Sequence, residues 1–265
     1  MAGQGRQPLP EAMRRLNPPS LAKTVAASGG VDRGKLEHWL LEHPPGSLVP
    51  LADRLLIAAV DRRRREGPIM AAQALPHLVA AAQRPEAVSQ ITALAVCISA
   101  IDDLGIDAAD LRFRVAILVR AVDVDHFEEP YRSTARYWLW RAALRRDHQD
   151  PGDDTIPADP RLRFMHQTHR VLCAAGYGMT TIDAATAPGL AKALVPVDPD
   201  DGDMVALSLL CAACVTPRPD ISGLRLHLKA LQVKNGSLRT RVDDPVARHH
   251  AACVAALALA LLDDD

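Results

Sequence analysis

The chain has 265 residues, of which 48% are hydrophobic and 24% charged, and its net charge is −1. That length is ample for a core of normal size, the composition is that of a globular protein, and so balanced a charge gives no overall attraction to nucleic acid or an anionic membrane. The start "MAGQGRQPLPEAMRRLNPPS" has no apolar signal core and no run is apolar enough to span a membrane, so a soluble, cytoplasmic protein is expected. Five irregularly spaced cysteines suggest reduced thiols rather than a disulfide framework.

Residues 1–48 stand apart. Pro8, Pro10, Pro18, Pro19, Pro44 and Pro45 interrupt them, Gly29-Gly30 divides them again, and only Val31 to His43 reads as a helix, with Leu36, Trp39 and Leu40 on one face. This predicts an N-terminal arm carrying one docked helix. Residues 49–265 then repeat one pattern, an apolar helical stretch followed by a short break. "LADRLLIAAVDRRRRE" ends at Gly67-Pro68, and "IMAAQALPHLVAAAQ" carries Pro76, which predicts a kink. "EAVSQITALAVCISAIDDLG" closes on Gly105, and "DAADLRFRVAILVRAVDV" opens on Asp107 as an N-cap, with Leu111, Val115, Leu118 and Val122 along one face. "EEPYRSTARYWLWRAALRRD", "DPRLRFMHQTHRVLCAAG", "GDMVALSLLCAACV", "ISGLRLHLKALQ" and "DPVARHHAACVAALALALLDDD" complete the series. No segment alternates with period two for long enough to make a strand. Short breaks make neighbouring helices antiparallel, so the expected fold is all-α: helical hairpins forming an α/α ring or partial toroid.

"VPVDPDDGDMVALSLL" sets four aspartates in six residues against the start of a helix. Asp198, Asp200, Asp201 and Asp203 read either as a strongly signalled helix start, Pro199 suiting its first turn, or as an acid site. In the second reading crowded carboxylates raise one pKa and keep a proton on at neutral pH. Histidines supply a second candidate. His166, His169 and Cys173 are spaced i, i+3, i+7, one helical stripe suited to a transition metal, and His249-His250 opens the last helix. Their alternative is a packed or hydrogen-bonded core, as it is for Cys97, Cys211, Cys214 and Cys253. From His126 to Asp147 the chain places five of its nine aromatics among arginines. That helix reads as a core element with solvated arginines, as a ligand wall for a diphosphate, or as a homodimer interface.

The order Asp198-Pro-Asp200-Asp201 resembles the D-x-D-D acid motif of class II terpenoid cyclases. "QVKNGSL", Gln232 to Leu238, resembles the Q-x-x-x-G-S-W brace of the same superfamily, with leucine in the aromatic position. "DDPVARHHAACVAALALAL" is similar to the closing segment of protein prenyltransferase β-subunits, in which a histidine binds zinc. The resemblance covers about Val195 to Leu262. It implies Asp200 as general acid, Asp198 and Asp201 tuning it, and a metal held by Asp203 and His250, to which the separately spaced His166 and His169 would add ligands. The divalent ion is open between zinc, magnesium, copper and iron, and a site without any cofactor is the alternative. The implied activity is that of a small-molecule biosynthetic enzyme acting on a polyene or prenyl diphosphate, with no nucleic-acid partner. Its rivals are a non-catalytic helical scaffold binding a peptide or protein, and a metal-dependent enzyme using the His/Cys stripe. Dinucleotide, P-loop, zincin and α/β-hydrolase signatures are absent.

Overall fold

A computed structural model describes residues 31–43, 47–61, 66–146, 156–187, 189–242 and 244–262. The remainder of the expected N-terminal arm, residues 1–30, lies outside the described residues. Among them the fold is mostly helical. Eleven α-helices follow in chain order: α1 Arg33–Glu42, α2 Leu48–Val60, α3 Gly67–Ala81, α4 Ile91–Asp103, α5 Ala109–Val119, α6 Tyr131–Arg141, α7 Pro160–Ala174, α8 Leu190–Ala193, α9 Gly202–Ala213, α10 Ser222–Leu231 and α11 Pro245–Leu262. Two two-residue strands, β1 (Ile182–Asp183) and β2 (Val215–Thr216), pair in parallel and link the chain after α7 to the end of α9. They are too short to leave a period-two signal.

Composition decides which helices go inside. α9 is apolar all round, and every residue from Met204 to Ala213 is buried. α11 is alanine-rich and almost as completely buried from His249 to Ala260. Such helices cannot sit on a surface, and their small side chains let them pack against each other as the central pair. α11 is also long and apolar enough, by length and composition, to cross a membrane, yet most of it is buried inside the protein. α11 packs in turn on α2, α2 on α4, α4 on α6, α6 on α7, and α7 on α9. Amphipathic helices cover this set from outside. α10 turns Leu224, Leu228 and Leu231 inward onto α9, and α3 and α5 pack together beside α2 and α4. On α5 the expected apolar face forms, with Leu111 and Val115 fully buried and Leu118 and Val122 packed against the core.

Local signals act largely as their chemistry dictates. Asp107 stands one residue before the α5 cap, which is Ala108, and accepts from the Ala109 N–H at 2.9 Å, and Gly105 ends α4 with φ +77°. α3 runs on through Pro76. The Gln232–Leu238 segment is a brace between distant parts of the chain. The Gln232 side chain accepts from the Asp32 N–H at 2.9 Å and donates to the Asp32 carbonyl at 2.8 Å, so it clamps the start of α1 across 200 residues. Gly236 adopts φ +95°, and a Cβ there would lie 2.2 Å from the Lys35 carbonyl oxygen. Only glycine lets α1 approach so closely. The same segment holds the head of α9: Gly202 donates to the Arg239 carbonyl at 2.9 Å, and a Cβ on it would meet that oxygen at 2.7 Å. α1 itself buries Leu36, Trp39 and Leu40 against α11, the face expected from sequence.

Candidate functional site

The aspartate cluster divides. Asp198 Oδ1 accepts from the Asp200 N–H at 3.1 Å, which makes a turn that feeds the chain into α9. Asp201 is the N-cap, buried, accepting from the Asp203 N–H at 3.2 Å and facing Arg161 at 2.7 Å. Asp200 is exposed. Neither it, Asp198 nor Asp201 lines the pocket described below, so the expected role of Asp200 as general acid with Asp198 and Asp201 tuning it does not fit this geometry. Those three residues start a helix. Asp203 is different: it sits in the first turn of α9, mostly buried, and burial raises its pKa against the opposing pull of His250.

His250 is where the helices meet. Its Nδ1 lies 2.9 Å from Asp53 Oδ2 on α2, and its Nε2 lies 3.7 Å from Asp203 Oδ1 on α9. Burial disfavours charge on the ring, but the Asp53 carboxylate outweighs it and lifts the pKa to about 10. His250 is therefore an imidazolium at neutral pH, with a carboxylate at each nitrogen.

His169 is its opposite. Its Nδ1 is 2.7 Å from the Met165 carbonyl. A carbonyl can only accept, so Nδ1 carries the proton and Nε2 keeps its lone pair. Burial pushes the pKa down to about 4 despite that bond, and the positive charge on His250 pushes the same way. One neutral and one charged imidazole thus face one space.

That space is a pocket of about 50 Å³, lined by Asp53, His169, Tyr177, His250 and Cys253 together with Leu56, Ile57, Leu172, Leu207, Leu210, Val254 and Leu257. Its polar groups sit among aliphatic walls supplied by α2, α7, α9 and α11. Position i, i+3, i+4, i+7 on α11 gives His250, Cys253, Val254 and Leu257 one shared face. Tyr177 reaches the pocket through backbone strain: Gly176, Tyr177 and Gly178 have φ of +58°, +55° and +95° in succession. A left-handed tyrosine is costly and persists where surrounding packing enforces it. Here its ring packs on Trp138 with centroids 4.7 Å apart and on His169 at 6.4 Å.

The expected His166, His169 and Cys173 stripe does not converge on one point. His166 is fully buried and faces Glu129 at 3.7 Å. Burial opposes ionisation of Glu129, but contacts with His166, Ser133 Oγ (2.5 Å) and Arg132 Nε (2.9 Å) hold its pKa at about 2. His169 alone of the stripe lines the pocket. Among the described residues no three His, Cys, Asp or Glu side chains form a group suited to a metal ion. Asp203 and His250 do come together as the prenyltransferase resemblance implies. His166 instead faces Glu129, so the expected ligand set of His166, His169, Asp203 and His250 does not gather into one group.

The arginines of α6 and its flank are engaged with carboxylates. Arg132 meets Glu129 at 2.9 Å, Arg141 meets Asp103 at 2.6 Å, and Arg136 and Arg145 share Asp125 at 2.9 and 3.2 Å. The pocket lining holds no lysine or arginine. A diphosphate wall on this helix is not formed. Asp53 and Tyr177 escaped the sequence reading. Asp53 had one signal, a lone acid on the Asp53, Leu56, Ile57 face of an otherwise apolar helix. Tyr177 had none beyond its two flanking glycines. Compared with known protein families, with curated proteins and with solved structures, the chain matches none.

Proposed function

We propose that this protein is a small-molecule enzyme that moves a proton within the pocket, with His169 as base and His250 as the fixed positive charge that stabilises the anion formed. The observation that carries the reading is the pairing of a neutral and a protonated imidazole on one aliphatic-walled space. A base must keep its lone pair near neutral pH, and a group stabilising developing negative charge must be cationic and fixed. His169 and His250 meet those two needs. Asp53 holds the His250 charge, and Asp203 supports it from the second nitrogen. Aliphatic walls suit a branched, isoprenoid-like hydrocarbon bearing one carbonyl or similar acceptor. The absence of lysine and arginine from the lining argues against a diphosphate as the bound group. Helix neighbours running α7, α9, α11, α2, α4, α6 and back to α7 favour a ring of inner helices, the α/α arrangement expected from sequence.

The experiment needs no known substrate. Small apolar ketones and aldehydes in D₂O exchange their α-hydrogens when a base and an enolate-stabilising charge act together. Wild-type protein should accelerate that exchange, followed by proton NMR, and His169→Gln should abolish it with the fold intact. No acceleration by wild type across a size series of probes would refute the reading.

A second reading, a helical scaffold, has one observation in its favour: Phe113 and Ile117 on α5, 67% and 56% exposed, stand one turn apart on the outer surface. Sedimentation velocity of Phe113→Asp tests it, since a self-associating surface would lose its dimer.

A further inference from the structure

We propose that Cys253 is a covalent site for small apolar electrophiles of the α,β-unsaturated carbonyl class, with His249 as the acceptor of its proton. Cys253 stands apart from other thiols in two independent respects. It belongs to the pocket lining, on the same face of α11 as His250. Its Sγ also lies 3.5 Å from Nδ1 of His249, one turn earlier on the same helix. Burial pushes the His249 pKa down, so the ring is neutral and can take a proton. Cys211 instead points at the Thr168 carbonyl at 3.6 Å, and neither it, Cys97, Cys173 nor Cys214 lines the pocket. Burial holds Cys97, Cys211 and Cys214 firmly as thiols, Cys214 at about 12.

The chemistry balances without an external oxidant. As Sγ attacks the β-carbon, a C–S bond forms and the S–H proton passes to His249. The electron pair of the C=C bond becomes an enolate, whose negative charge shares the pocket with the His250 ring. The proton on His249 then returns to the α-carbon, giving a saturated thioether. Aliphatic walls select the reagent: an apolar electrophile is drawn in, and a charged one must give up its hydration to enter. The inference shares the pocket with the proposed proton transfer but not its base. His169→Gln should therefore stop hydrogen exchange and leave this labelling unchanged.

Full-length native protein is treated with N-phenylmaleimide, or with a maleimide bearing a sulfonate, and the modified cysteine is located by peptide mass mapping over time. Cys253 should react first with the apolar reagent, about tenfold faster than any other cysteine and about tenfold faster than with the sulfonate. His249→Gln should slow that step by roughly tenfold or more. Leu257→Trp, which narrows the pocket beside Cys253, should slow it as well without removing the base. First modification of another cysteine, equal rates for the two reagents, labelling only after denaturant, or an unchanged rate in a folded His249→Gln protein would each overturn the proposal.

Discussion

Replacing Asp53 by asparagine removes the carboxylate that keeps His250 charged. The effect can be worked from the geometry. His250 rises from an ordinary 6.5 to about 10, a preference for the charged ring of about 5 kcal/mol if fully felt. Its side chain is 37% exposed at the pocket mouth, and solvent screening there reduces the net contribution to about 1–2 kcal/mol. Below pH about 6.5 the ring is protonated folded and unfolded, and the contribution is fully present. As pH rises beyond that, the unfolded chain gives up the proton while the folded chain keeps it, so stability drains away until about pH 10. Urea unfolding at a series of pH values from 6 to 10.5, read by circular dichroism, measures this. Wild type should lose about 1–2 kcal/mol over the range, and Asp53→Asn should start lower and stay flat. Parallel curves for the two proteins would show that Asp53 does not hold the His250 charge.

Other outcomes follow from the same contacts. Gly236→Ala forces a Cβ against the Lys35 carbonyl at φ +95°, and should cost about 2–4 kcal/mol while speeding amide hydrogen exchange selectively in α1, as deuterium uptake by mass spectrometry would show. His169 has the reverse pH signature to His250. Its folded pKa of about 4 lies below the ordinary 6.5, so its contribution is present above pH about 6.5 and is lost as pH falls through about 4. Acid unfolding midpoints of wild type and His169→Gln should therefore diverge above pH 4 and converge below it; a constant offset would contradict a neutral His169.

Much of the helical layout was legible because patterning and packing agree. Leu36, Trp39 and Leu40 on α1, or Leu111 and Val115 on α5, announce their buried face by spacing alone. Gln232 and Gly236 were legible as a brace only through their resemblance to the Q-x-x-x-G-S-W motif, and which chain segment they hold was not legible. The site was half legible. His250, Asp203 and His169 stood out as chemistry-bearing residues, but the charge state of His250 depends on a neighbour 197 positions away. His250 became a cation because of Asp53, a residue whose importance exists only once α2 lies against α11. The aspartate cluster misled for a related reason. A helix start and a buried acid share one local composition, and only exposure separates Asp200 from Asp203.

The central claim is that two imidazoles in one pocket hold opposite charge states, and nitrogen-15 NMR of histidine-labelled protein at pH 7.5 reads this directly. The account predicts one ring, assigned by loss of its signal in His250→Gln, with both nitrogens protonated, and another, assigned through His169→Gln, neutral with its proton on Nδ1. A neutral His250 or a charged His169 at that pH would contradict it.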